Sequence, residues 1–330
     1  RVMKTPSDII QEAYDYIFVI FLGIPVTYLY NLLAGIIRAL GDSKTPVYFL
    51  ILSSVINIVL DIVSIGVLHM GVAGPAWATV ISQGASGLLC LFYMIKKFEI
   101  LHIQKDEWAY DGSYVKILCG MGVPMGLQYS ITAIGSVLLQ VAVNGLGSLA
   151  VAAITAGNKI SMFFCCPYDA LGGTMATYAG QNVGAKKIDR IHQGIKAATV
   201  IGVVYSVAAF VILTIFGKQM ALLFLEADEV EVISQVHMFL IITSAAYILL
   251  TIVNVFRFCI QGMGYSAFAI LAGVCEMVGR TIVGFGLVPV FGYVAACFAS
   301  PVAWVLADAF LIPAYFSCIK KLKKMFNEDA

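Results

Sequence analysis

The sequence predicts an all-α integral membrane protein with about nine transmembrane helices, part of a twelve-helix, two-lobed bundle. Three observations carry that prediction. Hydrophobic residues make up 61% of the 330-residue chain and charged residues 12%, about half the charged share of a soluble domain. Apolar runs of about 20 residues, long enough to cross a bilayer, recur nine times. The chain also repeats itself: RALGDSKTPVYF (38–49) resembles QGMGYSAFAILA (261–272), roughly 223 positions later, and MGVAGPAWA (70–78) resembles FGYVAACFA (291–299).

The runs are helices and not strands, because a lipid-embedded segment must bond its own backbone and a membrane strand would be about 10 residues long with alternating polarity. In order, the first run covers 16–37 and ends at RALGDSKTP; the second, 46–67, ends at SIGVLHMG; the third, 73–95, closes on Lys96 and Lys97. KKFEILHIQKDEWAYDGSYVK then forms the longest charged stretch between runs. It divides the chain into 1–98, the second half of an amino-terminal lobe with three helices, a cytoplasmic linker over 99–114, and a six-helix carboxy-terminal lobe over 115–330. That lobe holds the runs 115–144, 149–179, 194–216, 232–260, 266–288 and 293–318, with the links NGLGSLA, EADEVE and LVPVFGY among them.

If each lobe has six helices related by an axis normal to the membrane, the first lobe is expected to lack three helices, about 110 residues, at its front. The links alternate in charge. One set carries Arg38, Lys44, Lys96, Lys97, Lys105, Lys116, Lys186, Lys187, Arg190, Lys196, Arg257, Lys320, Lys321, Lys323 and Lys324, and the other is nearly free of cations apart from Lys218. The positive-inside rule puts the first set, and the C-terminus, in the cytoplasm of a bacterial-type plasma membrane. Arg1 and Lys4 are the misfits, and Asp8 and Glu12 do not offset them, since acids count little in that rule. A pI near 7.7 and a net charge of +1 give no reason to expect a nucleic-acid partner. The eight cysteines have no metal-ligand spacing and read as small buried apolar residues.

Charges inside spans are costly and usually functional. Asp61 lies mid-span in SSVINIVLDIVSIG, with Asn57 one helical turn earlier on the same face. A carboxylate plus an amide oxygen suits a hard cation, which makes Asp61 and Asn57 a candidate Na+ site; the carboxylate alone suits H+. Glu276 and Arg280 in GVCEMVGRTIVG stand at i, i+4 with the acid first, which favours an intrahelical salt bridge over a gate or substrate contact. Gln128, Gln140 and Asn144 share a span and suit interhelical hydrogen bonds or the lining of a substrate cavity. Lys159, beside Asn158, lies about ten residues into its run and needs a cavity or a partner. It stands too far along the helix from Asp169 to pair with it, and Asp308 has no assigned role. Pro25, Pro124, Pro167, Pro301 and Pro313 fall inside runs, where they bend helices.

The ordered set of RALGDSKTP, NIVLD, GVAGPAWATVISQ, GMGVPMGLQ and TYAGQNVGAKK resembles the multidrug and toxic compound extrusion (MATE) transporters over essentially the whole chain. The resemblance implies a secondary antiporter, not an enzyme and without a cofactor, that exports small organic, often cationic, compounds in exchange for Na+ or H+, as a monomer in the lipid bilayer. It matches Asn57 and Asp61 to the cation-binding Asn and Asp of the amino-terminal lobe, and Thr79 to a hydroxyl that joins them. The family's other acid there stands on a first helix absent from this sequence. Another branch of the family keeps an essential acid in the first span of the second lobe, where GVPMGLQYSITAIG has none. The substrate cavity is expected at Gln128, Gln140, Asn144, Asn158, Glu276 and Arg280.

Two other functions compete with efflux. A lipid-linked oligosaccharide flippase of related fold needs a strongly cationic cavity for a pyrophosphate, and Lys159, Arg257 and Arg280 are its only candidates here. A membrane-embedded enzyme is disfavoured because no H-E-x-x-H or G-x-S-x-G is present and the four histidines lie near span ends or in links.

Overall fold

The computed structural model describes residues 10–102 and 110–328. Arg1, Lys4, Asp8 and Lys105, which enter the orientation argument, lie outside them, as do residues 103–109 of the linker. The helices are α1 (Ile10–Ala39), α2 (Lys44–Gly66), α3 (Ala73–Lys97), α4 (Gly112–Asn144), α5 (Ser148–Gly184), α6 (Ile188–Ala221), α7 (Val230–Ala245), α8 (Tyr247–Gly262), α9 (Ala267–Thr281), α10 (Val288–Cys297) and α11 (Ala299–Glu328). A π-helical turn, Ile282–Leu287, joins α9 to α10. Among the described residues eight helical segments are long and apolar enough to cross a membrane, and α7 with α8, bent by 49° at Ala246, makes a ninth. Four of the five prolines sit inside helices and Pro301 opens α11, yet that break falls where there is no proline.

The chain forms two compact units, Arg1–Tyr110 and Asp111–Ala330. In the first, α3 packs against both α1 and α2, which barely touch each other. Its buried positions are all small: Gly74, Ala76, Ala78, Ser82, Ser86, Gly87 and Cys90. Without a hydrophobic force between helices in lipid, such residues allow the close approach that dispersion needs. At Gly87 an added Cβ would stand 3.4 Å from the Tyr30 backbone nitrogen. Tyr30, Leu33, Ala34, Ile37 and Cys90 form a small core near the cation-bearing ends of α1 and α3.

The second unit has one continuous core running from Val143 to Leu322. There α5 lies against α6, α7 and α8, while α9 lies between α4 and α11. At its centre Tyr168 bonds Ser206 (2.9 Å), Ser206 stands 3.2 Å from Thr251, and the Tyr168 ring meets Tyr205 and Tyr247 edge-on.

The internal repeat is visible in backbone geometry. Gly41 has φ 94° and its repeat partner Gly264 has φ 89°. Both turns close with the same two bonds: Gly41 N–H to Arg38 O and Asp42 N–H to Ile37 O, and Gly264 N–H to Gln261 O and Tyr265 N–H to Ile260 O. This is a left-handed glycine helix cap, open to a residue without a Cβ. The second motif agrees, with Gly71 at φ 59° and Gly292 at φ 61°. Helical assignment runs on to Cys297, but Gly292 is non-helical (ψ −139°) and divides the eighth span from the ninth at the FGY of the sequence.

One expectation is corrected. Arg257 is not a link cation: it lies within α8 and is 7% exposed. It is held there by a carboxylate on α9, so it does not bear on orientation.

Candidate functional site

In the amino-terminal unit Asn57 and Asp61 stand one turn apart on α2, both half-buried. The Asn57 amide nitrogen and one Asp61 carboxylate oxygen, Oδ1, are buried without a hydrogen-bond partner. Buried polar groups are nearly always paired, so two orphans a turn apart mark an arrangement that accepts something from outside. Thr79 is exposed on α3, and its hydroxyl donates to the Pro75 carbonyl of its own helix (2.9 Å). No hydrogen bond among the described residues joins it to Asn57 or Asp61. Ser64 anchors the chain just beyond, donating to the Asp61 carbonyl (3.1 Å).

At the cation-bearing end of this unit Asp42 accepts from the Tyr93 hydroxyl (2.6 Å), the Thr45 hydroxyl (2.8 Å) and the Thr45 N–H (3.1 Å), with Lys97 3.5 Å away. The Tyr93 bond above all holds the Asp42 carboxyl well below the usual carboxylate range. This network fastens the α1–α2 turn to α3.

In the carboxy-terminal unit the charges gather. Glu276 on α9 pairs closely with Arg257 of α8, and its other oxygen stands 3.5 Å from Arg280. The intrahelical pair read from spacing is therefore present, but Arg257 is the nearer partner. Arg280 also donates to the Thr132 carbonyl of α4 (3.1 Å). Gln261 donates to buried Gln128 across α8 and α4 (3.0 Å), and Asn254 to Asp169 (3.4 Å). Asp308 on α11 is buried with both oxygens unpartnered, within electrostatic reach of Arg257. Lys159 has a partner, the Phe224 ring 5.7 Å away. Phe224 belongs to the turn after α6, so Lys159 lies beside that turn.

Of the residues expected at a substrate cavity, Gln140, Asn158 and Arg280 line one space of about 330 Å³ in this unit, together with Ser161, Thr243 and Trp304. Gln128, Asn144 and Glu276 are not in its wall; Gln128 spans between helices and Asn144 accepts from Gln140 (2.8 Å). Sequence reasoning missed Asn254, Arg257 and Gln261 as one inward face of α8. Their spacing, three then four, is the signal that could have found them.

The family model described as MatE matches residues 1–63 and 124–285. The chain belongs to the MatE family. Two MATE-type relatives, both from Bacillus subtilis, are the "Probable multidrug resistance protein YoeA", 32% identical over 76% of this chain and 55% of its own length, and the "Probable multidrug resistance protein YpnP", 31% identical over 69% and 51%. The chain thus spans about half the length of these curated relatives. Among solved structures, an outward-facing multidrug resistance MATE family transporter of the MOP superfamily superposes with a TM-score of 0.90 at 20% identity, over 98% of this chain and 73% of its own. A MATE in the bent conformation gives 0.88 at 20% identity, over 98% and 72%. At that identity the structures share the fold. The chain is a multi-pass, all-α membrane protein of the MATE family.

Proposed function

We propose that the protein is a secondary antiporter that exports small organic compounds, often cations, in exchange for Na+ or H+. The observation that carries this reading is the pair of buried, unpartnered atoms on Asn57 and Asp61, one turn apart in the second span. A carboxylate in low dielectric must be neutralised by a bound ion or a proton, and exchange between those states is what couples a gradient to transport. The multidrug names of the Bacillus relatives support the substrate side of the reading. Thr79 joins this site only if α3 turns its hydroxyl away from Pro75.

Residues 1–98 form the second half of the amino-terminal lobe, 99–114 the linker and 115–330 the carboxy-terminal lobe of a transporter that acts, at full length, as a monomer in the plasma membrane. The cation-bearing links and the C-terminus face the cytoplasm, with fourteen cations once Arg257 is set aside. A flippase is not favoured. Of its three candidate cations, Arg257 and Arg280 share Glu276 and Lys159 lies over Phe224.

The test is counterflow of a fluorescent cationic dye in proteoliposomes under an imposed Na+ or pH gradient. Asp61→Asn keeps size and hydrogen bonding but fixes the neutral form, so gradient-driven efflux should stop while dye still binds. Asn57→Ala should weaken a Na+ dependence and leave an H+ dependence nearly intact. Wild-type efflux from Asp61→Asn removes Asp61 from the mechanism.

A further inference from the structure

The cavity of the carboxy-terminal unit has hydrogen-bonding capacity that the protein does not use. Ser161 on α5 and Thr243 on α7 are 7% and 4% exposed, and neither hydroxyl oxygen has a partner. Both line the same space of about 330 Å³. The Tyr247 hydroxyl, also buried, faces Ser161 and Cys165. Native proteins leave few buried polar groups unpaired, so hydroxyls from two helices, both in one cavity wall, point to an absent ligand. The volume suits a small organic molecule.

The charge of that ligand follows from the wall. Arg280 is the one charged side chain among the described residues lining the cavity. Its neutralisation is incomplete. Glu276 is divided between two guanidiniums and lies closer to Arg257 than to Arg280, which it meets at 3.5 Å. The other carboxylates nearby, Asp308 and Asp169, act on Arg257. Beyond that, Arg280 makes a bond to the neutral Thr132 carbonyl, and a guanidinium offers five donors in a fork suited to carboxylates. An organic cation in this space would face a guanidinium at low dielectric, with no acid in the wall to offset it.

We propose that this cavity binds the carboxylate of an organic anion, with Arg280 as counter-ion and the Ser161 and Thr243 hydroxyls as donors. The proposal deepens the efflux reading by naming a substrate class, and rests on it for the claim that what binds here is exported. Gln140 and Asn158 supply amides for the rest of the molecule.

The experiment is a fluorescence titration of the purified protein in lipid nanodiscs, with no gradient, using naphthoate, its neutral isostere naphthamide and the cation naphthylmethylammonium. Naphthoate should bind about tenfold more tightly than naphthamide, and the cation most weakly. Ser161→Ala and Thr243→Val should each weaken naphthoate about threefold with an unchanged melting temperature, which shows that they still fold. Arg280→Lys, which keeps the charge but loses the fork, should reduce the preference for naphthoate over naphthamide. Tighter binding of the cation than of naphthoate, or naphthoate binding untouched by both hydroxyl variants, would overturn the assignment. Because binding is read without transport, absence of gradient-driven efflux of both a cationic dye and naphthoate would sink the efflux reading and leave this result standing.

Discussion

The two units treat polarity in the membrane in opposite ways. In the amino-terminal unit α2 is only 11% buried along its most apolar stretch, and Asn57 and Asp61 keep atoms with no partner. In the carboxy-terminal unit α11 is 50% buried along its own, and most buried polar groups meet a partner on another helix, Glu276 with Arg257, Asp169 with Asn254, Gln128 with Gln261, Asp308 being the exception. A carboxylate that takes up and releases an ion cannot have a permanent partner inside the protein. One that holds helices together must have one. Asp61 fits the first description and Glu276 the second.

The contrast breaks most readily at Glu276. Glu276→Gln leaves Arg257 and Arg280 buried beside each other without their shared carboxylate, a loss of about 3–5 kcal/mol. Thermal unfolding of the purified protein should show it as a clear fall in melting temperature and in yield. Asp61→Asn, by contrast, removes no pair and should shift stability by less than about 1 kcal/mol. If the two variants melt alike, the distinction between an ion-exchanging and a structural carboxylate fails.

Packing offers a second, smaller comparison. Gly279 of α9 faces α11 so closely that an added Cβ would lie 2.8 Å from the Ala303 Cα, so Gly279→Ala should destabilise by about 1–3 kcal/mol. Gly35 of α1 has open space around it, and Gly35→Ala should be neutral or stabilising by up to about 1 kcal/mol from helix propensity alone. Melting curves of the two variants sharpen the picture of a dense unit beside an open one.

The smallest effect concerns Asp42. Its folded-state pKa is depressed, so its contribution is present above the unfolded carboxylate value of about 4 and is lost as pH falls toward the lower folded value. Tyr93→Phe removes the largest cause and one hydrogen bond. It should lower stability by about 1 kcal/mol at neutral pH and give a shallower decline in melting temperature below about pH 4. A decline as steep as in the unaltered protein would show that Tyr93 does not tune this carboxylate.

Much of the architecture was legible in the chain because the physics behind it is local. Lipid demands long apolar helices, and a left-handed turn demands glycine, so RALGD and QGMGY announced the same cap before Gly41 and Gly264 were seen to share it. Glu276 and Arg280 were legible because i, i+4 spacing fixes their contact along one helix. Arg257 was misread because its partner lies 19 residues away on another helix, and sequence near a span end does not reveal which way a side chain turns. Ser161 and Thr243 gave no signal at all: a lone hydroxyl in a span usually bonds its own backbone, as Thr79 does, and these two do not. The neighbourhood of Lys159 was not legible because its partner, Phe224, lies 65 residues away in the turn after α6.

The break at Ala246 turns α8 into a lever. Its 16 residues make an arm about 24 Å long, pivoting where α7 ends, and Arg257 rides roughly 16 Å out along it. A swing of about 10° would carry that position by some 3 Å, further than an ion pair can stretch and hold. The Arg257–Glu276 contact ties the outer part of that arm to α9, and a swing of that size would have to open it.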